Sequence, residues 1–201
     1  MSKKKNKEKA VSGGSVFARM LIGCGVLALL LSAAGFVFRT MYRNQSGERS
    51  AQILEKLTGQ IPQEPDPAAA LQDFAAGPEE LSLIQVSGVV CAGLLSIPDL
   101  RQVWPVGGLY EELRMLPCLV KNEKVPELIT IEGMDYESQF SILRQLTTGD
   151  EVIFTDVIGL TYRFKVDFTG TDPGRREKEW QLELLSYMGD EEPFCVGCLA
   201  V

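Results

Sequence analysis

Residues 149–166 read GDEVIFTDVIGLTYRFKV, and this pattern predicts a β-hairpin with one face on a hydrophobic core. The first strand, residues 151–155, follows a Gly-Asp turn. In the second strand, Tyr162, Phe164 and Val166 alternate with polar or charged residues, which is the period of a half-buried strand. The connection contains a glycine, as hairpin connections commonly do.

Further short apolar runs, bounded by turn residues, surround this hairpin. They lie at residues 91–97, 103–106, 128–131, 180–185 and 194–201. Helical turns are predicted at residues 111–116 and at residues 140–146, where the apolar residues have helical spacing. Many short strands separated by turn signals predict a mostly β domain, a barrel or sandwich with one or two small helices.

The composition excludes several classes of protein. The chain has 201 residues, of which 45% are hydrophobic and 23% charged, as in globular proteins. It contains no histidine, which excludes Ser-His-Asp and Cys-His mechanisms and His-ligated zinc within this chain. Its five cysteines are too few and too scattered for a disulfide scaffold.

The charge is distributed unevenly along the chain. The first 43 residues hold eight basic residues and one acidic residue, a net charge of +7. Because the whole chain has a net charge of -7, the remaining residues carry -14. An acidic domain of this kind repels nucleic acid, so no nucleic-acid partner is expected.

Residues 20–38 form an uncharged apolar run of 19 residues, MLIGCGVLALLLSAAGFVF. As a helix this run would be about 28 Å long, close to the thickness of the hydrocarbon core of a bilayer. Lysines precede the run, so the positive-inside rule places the N-terminus in the cytoplasm and the acidic domain outside. The sequence therefore predicts a single-pass protein of the cell membrane.

A cleaved signal peptide is the alternative, because the small residues Ser32, Ala33 and Ala34 lie near the end of the run. The apolar core of a signal peptide is usually 7–15 residues long, so the length favours an uncleaved anchor. The expected organisation is a basic tail (1–15), an anchor (16–38), a juxtamembrane helix with a Pro-rich linker (39–82) and a β domain (83–201).

Several motifs from about residue 88 to the C-terminus resemble the sortases, which are membrane-anchored cysteine transpeptidases. Residues 93–100 read GLLSIPDL and are followed by WPV at 104–106. Residues 133–140 read GMDYESQF, and GDEV follows at 149–152. The resemblance implies the sortase fold, a closed eight-stranded β-barrel with short helices.

Sortase catalysis uses a cysteine thiolate, a histidine and an arginine. In the matching register the histidine position holds Met134, the cysteine position Tyr187 and the arginine position Pro193. Ser186 stands where the family has a threonine. The resemblance therefore implies a degenerate member with no catalytic residues at these positions. Tyr187 itself is expected to fill a pocket, because its pKa near 10 makes it a poor nucleophile.

No other cysteine is expected to replace the nucleophile. Cys195 and Cys198 lie too close to the last residue for an arginine-bearing strand to follow. Cys91 is expected before the first strand and Cys118 in a connection. On a strand, residues three apart point to opposite faces, so the C-x-x-C pair reads as ordinary strand cysteines. A disulfide from Cys91 or Cys118 to the last strand stays open.

Two acidic clusters flank the positions that match the family's catalytic residues. They comprise Glu132, Asp135 and Glu137, and Asp190, Glu191 and Glu192. No loop has the regular ligand spacing of a calcium site, so solvated acidic faces are expected rather than metal binding. The sequence predicts no cofactor and no metal.

Taken with the resemblance, these features predict an extracytoplasmic, membrane-anchored, sortase-like protein that lacks catalysis. Its role would be binding or regulation in surface-protein sorting. The expected partners are the membrane and a sorting-signal peptide, a surface-protein precursor or an active sortase. Two alternatives stay open: an active transpeptidase with a non-standard nucleophile or a residue supplied in trans, and a structural envelope protein.

Overall fold

The computed structural model describes residues 13–63, 81–121, 128–171, 180–189 and 191–201, with backbone alone for residues 13–19 and 36–46. Residues 1–42 form one compact unit and residues 43–201 another. The part of the linker prediction that falls on residues 64–80 lies outside the described residues.

One long helix and nine strands make up the regular structure of the described residues. They are α1 (Gly13–Thr58), β1 (Ile84–Val86), β2 (Val89–Ile97), β3 (Gln102–Gly107), β4 (Cys118–Lys121), β5 (Ile129–Met134), β6 (Glu151–Asp156), β7 (Thr161–Gly170), β8 (Leu182–Tyr187) and β9 (Phe194–Ala200). Short 3₁₀ helices lie at Pro98–Leu100, Tyr110–Glu112 and Phe140–Gln145.

The described part of the chain contains no helix that is both long enough and apolar enough to cross a bilayer.

The strands close into a barrel. Hydrogen-bonded neighbours follow the order β2-β3-β4-β5-β8-β9-β7-β6, and β6 pairs back with β2, so eight strands form the ring. β1 extends the sheet beside β2. Most strand pairs are antiparallel, whereas β5 and β8 run parallel over six residue pairs and β3 and β4 are parallel at the pair Gly107 and Cys118. The expectation of a closed eight-stranded barrel is confirmed.

The barrel interior is a continuous apolar core, because alternate residues of each strand point inward. Ile131, Leu184 and Val196 are fully buried on three adjacent strands. Trp104 and Phe140 meet edge to face with ring centroids 5.6 Å apart, so the 3₁₀ helix Phe140–Gln145 contributes to the core. The predicted helical turn at residues 140–146 is therefore a 3₁₀ helix.

A second core lies between the barrel and the C-terminal part of α1. Ile53 and Leu57 are 1% and 0% exposed and pack with Cys91, Leu116 and Val157. The helical spacing of Ile53 and Leu57 places both side chains on the face that meets the barrel. Residues 43–58 of the helix thus belong to the packing of the barrel unit.

A third apolar cluster lies outside the β8–β9–β7 part of the sheet. The Trp180 ring stacks on Phe168 at 5.6 Å between centroids, and its Nε1 donates to Asp167 Oδ2 at 3.2 Å. Leu128 and Cys195 complete the buried cluster. The Trp180 ring is thus packed on one aromatic neighbour and its indole N–H has an acceptor. The cluster therefore covers the outer surface of β9 with well-packed side chains.

Two sequence-based assignments are wrong. β2 begins at Val89, so Cys91 lies within a strand, and Cys118 is the first residue of β4 rather than part of a connection. β1 and β4 were not predicted. Both strands are too short to show an alternation of apolar and polar residues in the sequence. β4 also meets β3 only through the pair Gly107 and Cys118.

Replacing Leu57 with alanine is expected to destabilise the protein by about 2 kcal/mol, the lower end of the usual cost of such a buried truncation. For a domain of this size the melting temperature should fall by about 2–4 °C per kcal/mol. Thermal unfolding of the full-length protein measures the effect. Glu55→Ala, on the exposed side of the same helix turn, is the control, and equal melting temperatures for both variants would contradict the second core.

Candidate functional site

The fold brings the three positions predicted to match the family's catalytic residues to one end of adjacent strands. Met134 and Tyr187 are register partners across the parallel β5–β8 pair. The backbone N–H of Asp135 donates to the carbonyl of Tyr187 at 2.8 Å, which extends the pairing. Ser186 pairs with Phe194 in the antiparallel β8–β9 ladder, so the same register continued by one residue sets Pro193 across from Tyr187.

Tyr187 and Glu132 share the outer face of this end of the barrel. Ile131 and Leu184 point into the core, so their strand neighbours point outward. The Tyr187 hydroxyl donates to Glu132 Oε1 at 3.3 Å and so links β8 to β5. The position that matches the nucleophile therefore carries an aromatic side chain bonded to a carboxylate.

Burial and charge both make Tyr187 a poor nucleophile. Burial is the main cause that raises the pKa of Tyr187, and the neighbouring Glu132 carboxylate raises it further. Burial also raises the pKa of Glu132, against the opposing effect of the hydrogen bond from Tyr187. Tyr187 consequently keeps its proton at neutral pH.

The acidic residues beside the site are not one solvated face, which corrects the sequence-based expectation. Glu132 is only 9% exposed, and Asp135 forms an ion pair with Arg144 at 3.1 Å. Glu137, Glu191 and Glu192 are exposed as expected, whereas Asp190 lies outside the described residues. Among the described residues, no group of three or more acidic or cysteine side chains is placed to hold a metal ion.

The cysteines are all free, so the disulfide left open by the sequence is not formed. Cys195 belongs to the outer cluster and Cys198 to the barrel core, as opposite faces require. Burial raises the pKa of Cys91 to about 11 and those of Cys118 and Cys198 to about 12. These three thiols are almost entirely protonated at neutral pH, and a protonated thiol is a poor nucleophile.

Gln139 is a site residue that the sequence analysis missed. Its side chain is fully buried, its Oε1 accepts from the backbone N–H of Met134 at 2.8 Å, and its Nε2 donates to the carbonyl of Leu113 at 3.3 Å. It therefore joins the end of β5 to the connection between β3 and β4. No local signal marks Gln139 as buried, because it follows the polar residues Glu137 and Ser138.

Arg144 was also missed, although it places a guanidinium at this end of the barrel. Its Cζ lies 4.9 Å from the centroid of the Phe194 ring, and Asp135 pairs with its charge. The arginine comes from the 3₁₀ helix Phe140–Gln145 rather than from β9. Its charge is thus compensated by a neighbour within the protein.

Replacing Glu132 with glutamine is expected to stabilise the protein increasingly as pH rises. Because the folded-state pKa of Glu132 is raised, its favourable contribution is present below the unfolded pKa and is lost as pH rises through the folded value. The difference in melting temperature between variant and wild type should therefore grow by a few degrees from about pH 4 to about pH 8. Thermal unfolding across this range measures it.

Glu137→Gln is the matched control for this experiment, because Glu137 is an exposed carboxylate near the same site. As an exposed surface substitution it should change the free energy of unfolding by no more than about 0.5 kcal/mol. A pH-independent effect of Glu132→Gln would show that the Glu132 carboxyl is not buried as described.

Comparison with known proteins assigns the fold. No protein-family model matches the sequence, and no curated protein matches it either. Sortase C of Streptococcus pneumoniae matches the structure with a TM-score of 0.52 and 17% identity, over 77% of this chain and 96% of that one. Sortase C1 of Streptococcus agalactiae matches with a TM-score of 0.47 and 20% identity, over 79% and 86%.

The lid mutant of sortase A from Corynebacterium diphtheriae matches with a TM-score of 0.46 and 16% identity, over 79% of this chain and 93% of that one. At such identities the likeness concerns the backbone arrangement alone. The conclusion about the fold rests on sortase C of Streptococcus pneumoniae, which has the highest TM-score of the three. Its match spans nearly its whole length and agrees with the closed barrel described above. The chain has the sortase fold.

Proposed function

We propose that this chain is a sortase-like binding or regulatory protein of the cell envelope that does not catalyse transpeptidation. The observation that supports this most directly is the bond from Tyr187 to Glu132 at the position that matches the family's nucleophile. Met134 beside it has no titratable group, and Pro193 has neither a charge nor a backbone N–H. The reacting groups are replaced while the strands that would present them persist.

The proposed place of action is the outer surface of the cell membrane, with the barrel outside and the N-terminus in the cytoplasm. The charge distribution and the uncharged run at residues 20–38 support this topology. The helix leaves large apolar side chains uncovered: the exposed fractions are 69% for Met20, 58% for Leu27 and 62% for Leu30. Such side chains favour contact with an apolar medium such as lipid. The proposed ligand is a sorting-signal peptide, carried by a surface-protein precursor.

Incubation of the full-length protein with a sorting-signal peptide tests both halves of the proposal. We expect saturable binding of the labelled peptide by fluorescence anisotropy and no covalent adduct by mass spectrometry. A scrambled peptide is the control for binding. A thioester on any cysteine, abolished by mutation of that cysteine, would overturn the inactive assignment. Equal affinity for both peptides would overturn the sorting signal as ligand and favour a structural role.

Protease treatment of intact protoplasts tests the topology. We expect residues 44–201 to be digested and the lysine-rich terminus to be protected, because the positive-inside rule orients the chain this way. Protoplasts lysed before treatment are the control. Protection of residues 44–201 together with cleavage of the terminus would show the opposite orientation.

A further inference from the structure

The connection between β3 and β4, residues 108–117, is joined to the candidate site through Gln139, which bonds both the Leu113 carbonyl and the Met134 N–H. Its 3₁₀ helix, Tyr110–Glu112, is followed by Leu113 and the fully buried Leu116. Backbone N–H groups of Met115 and Leu116 donate to the Glu112 carbonyl at 2.8 and 3.0 Å. The connection is thus an ordered segment that Glu112 organises.

The Glu112 side chain turns inward between two strands. Its Oε1 accepts from the backbone N–H of Val90 at 3.1 Å, whereas the buried Oε2 has no hydrogen-bond partner. Oε2 lies 3.1 Å from the position of a Cβ on Gly107, and the Cys118 Sγ lies 2.9 Å from the same position. The Glu112 carboxyl and the Cys118 thiol therefore both lie against Gly107. They occupy the space that a side chain at position 107 would fill.

The groups that face Glu112 do not compensate a negative charge. Cys91 on β2 and Cys118 on β4 flank Gly107 and are protonated, and Glu132 on β5 is the register partner of Cys118. On its own 3₁₀ helix the neighbour is Glu111, a further carboxylate. The described part of the chain offers Glu112 no cation within salt-bridge distance.

Hydrogen bonds and apolar packing both hold this connection against the barrel. They include the Glu112 bond to Val90, the bond from the Gly108 N–H to the Val90 carbonyl, the Gln139 bond to the Leu113 carbonyl, and the packing of Met115 and Leu116 in the second core. Of these, the first involves a titratable group. A change in the charge of Glu112 therefore acts directly on the connection where it lies beside Cys118.

We propose that residues 108–117 form a pH-sensitive cover on the barrel, closed while Glu112 is protonated and released when Glu112 ionises in water. Opening hydrates the carboxyl, whose Oε2 has no partner in the closed form. Gln139 links the cover to Met134 at the candidate site, so its use in controlling access to a ligand rests on the proposed function, whereas the opening itself does not.

The direction of the pH dependence follows from the coupling between protonation of Glu112 and closure of the connection. Burial is the main cause that raises the pKa of Glu112 in the closed form, outweighing the bond from Val90. The ordinary pKa near 4.3 returns when the segment opens to solvent. Closure is therefore fully favoured below this ordinary value and weakens as pH rises through the closed-state pKa.

Hydrogen exchange of the full-length protein tests the cover. The amides of Met115 and Leu116 report on the connection, and those of Ile129 and Val166 report on the barrel. We expect the protection factors of the connection, corrected for intrinsic exchange, to fall on the order of tenfold from about pH 4.5 to about pH 7.5. The barrel amides should keep their protection.

Glu112→Gln should keep the connection protected at both pH values, because glutamine still accepts from Val90 but does not ionise. Glu111→Gln, an exposed carboxylate of the same turn, should retain the pH dependence. Protection that is independent of pH in the wild type, or equally pH-dependent in Glu112→Gln, overturns the proposal. If Glu112→Gln does not fold, the wild type alone decides. Protection factors that change equally with pH in the connection and in the barrel overturn the proposal, and a change confined to the connection supports it.

Discussion

Replacing Gly197 with alanine is expected to lower the free energy of unfolding by about 3 kcal/mol, the upper end of the usual cost of overpacking, since the Trp180 ring must move away. Gly197 lies on β9, and the Trp180 ring lies directly against it where a Cβ would stand. Trp180 is 3% exposed and stacked on Phe168, so it has little room to retreat. Chemical denaturation of the full-length protein measures the loss.

Gly59→Ala is the matched control, because a Cβ at Gly59 would meet only carbonyl oxygens at 3.6 and 3.7 Å. Its effect should stay within about 0.5 kcal/mol. In a Trp180→Leu background the Gly197→Ala change should cost much less, since the two residues touch and their effects are then non-additive. Full additivity of the two substitutions would contradict the close packing of ring and backbone.

The strands with a clear period could be predicted from the sequence alone. β6 and β7 follow the alternation of residues 151–166, because each has one face on the core and one on solvent. β1 and β4 could not be predicted, since three or four residues are too few to show a period. The same limit explains why Cys118 was assigned to a connection.

The candidate site was predictable only through the family resemblance. Met134 and Tyr187 are 53 positions apart in the sequence, and no local pattern specifies that β5 and β8 run parallel in that register. The burial of Glu132 and Gln139 was not predictable for a related reason. A polar side chain is buried where tertiary partners satisfy it, and these partners, Tyr187 and Leu113, come from distant segments.

Restoring the family's residues by Met134→His, Tyr187→Cys and Pro193→Arg is expected to yield no detectable peptide cleavage and a less stable protein. Loss of the Tyr187 hydroxyl leaves the buried Glu132 carboxyl without its donor, which costs about 1–3 kcal/mol. The new cysteine would also lie on β8 two residues from Leu185, the register partner of Glu132, and a nearby negative charge raises the pKa of a thiol. This charge opposes the effect of the introduced histidine and arginine, which favour the thiolate, and we expect too little thiolate at neutral pH for attack on a peptide carbonyl.

Adding Glu132→Gln to the triple variant tests the effect of the Glu132 charge, because glutamine keeps the shape of the side chain without its charge. Removal of the carboxylate should raise the rate of alkylation of the new cysteine by iodoacetamide at neutral pH on the order of tenfold, because its pKa falls. Tyr187→Cys with and without Glu132→Gln is the matched pair that isolates this effect. A triple variant that already forms a thioester with a sorting-signal peptide would show that Glu132 does not suppress the nucleophile. It would also show that the residues at these three positions are enough to decide whether the barrel can react.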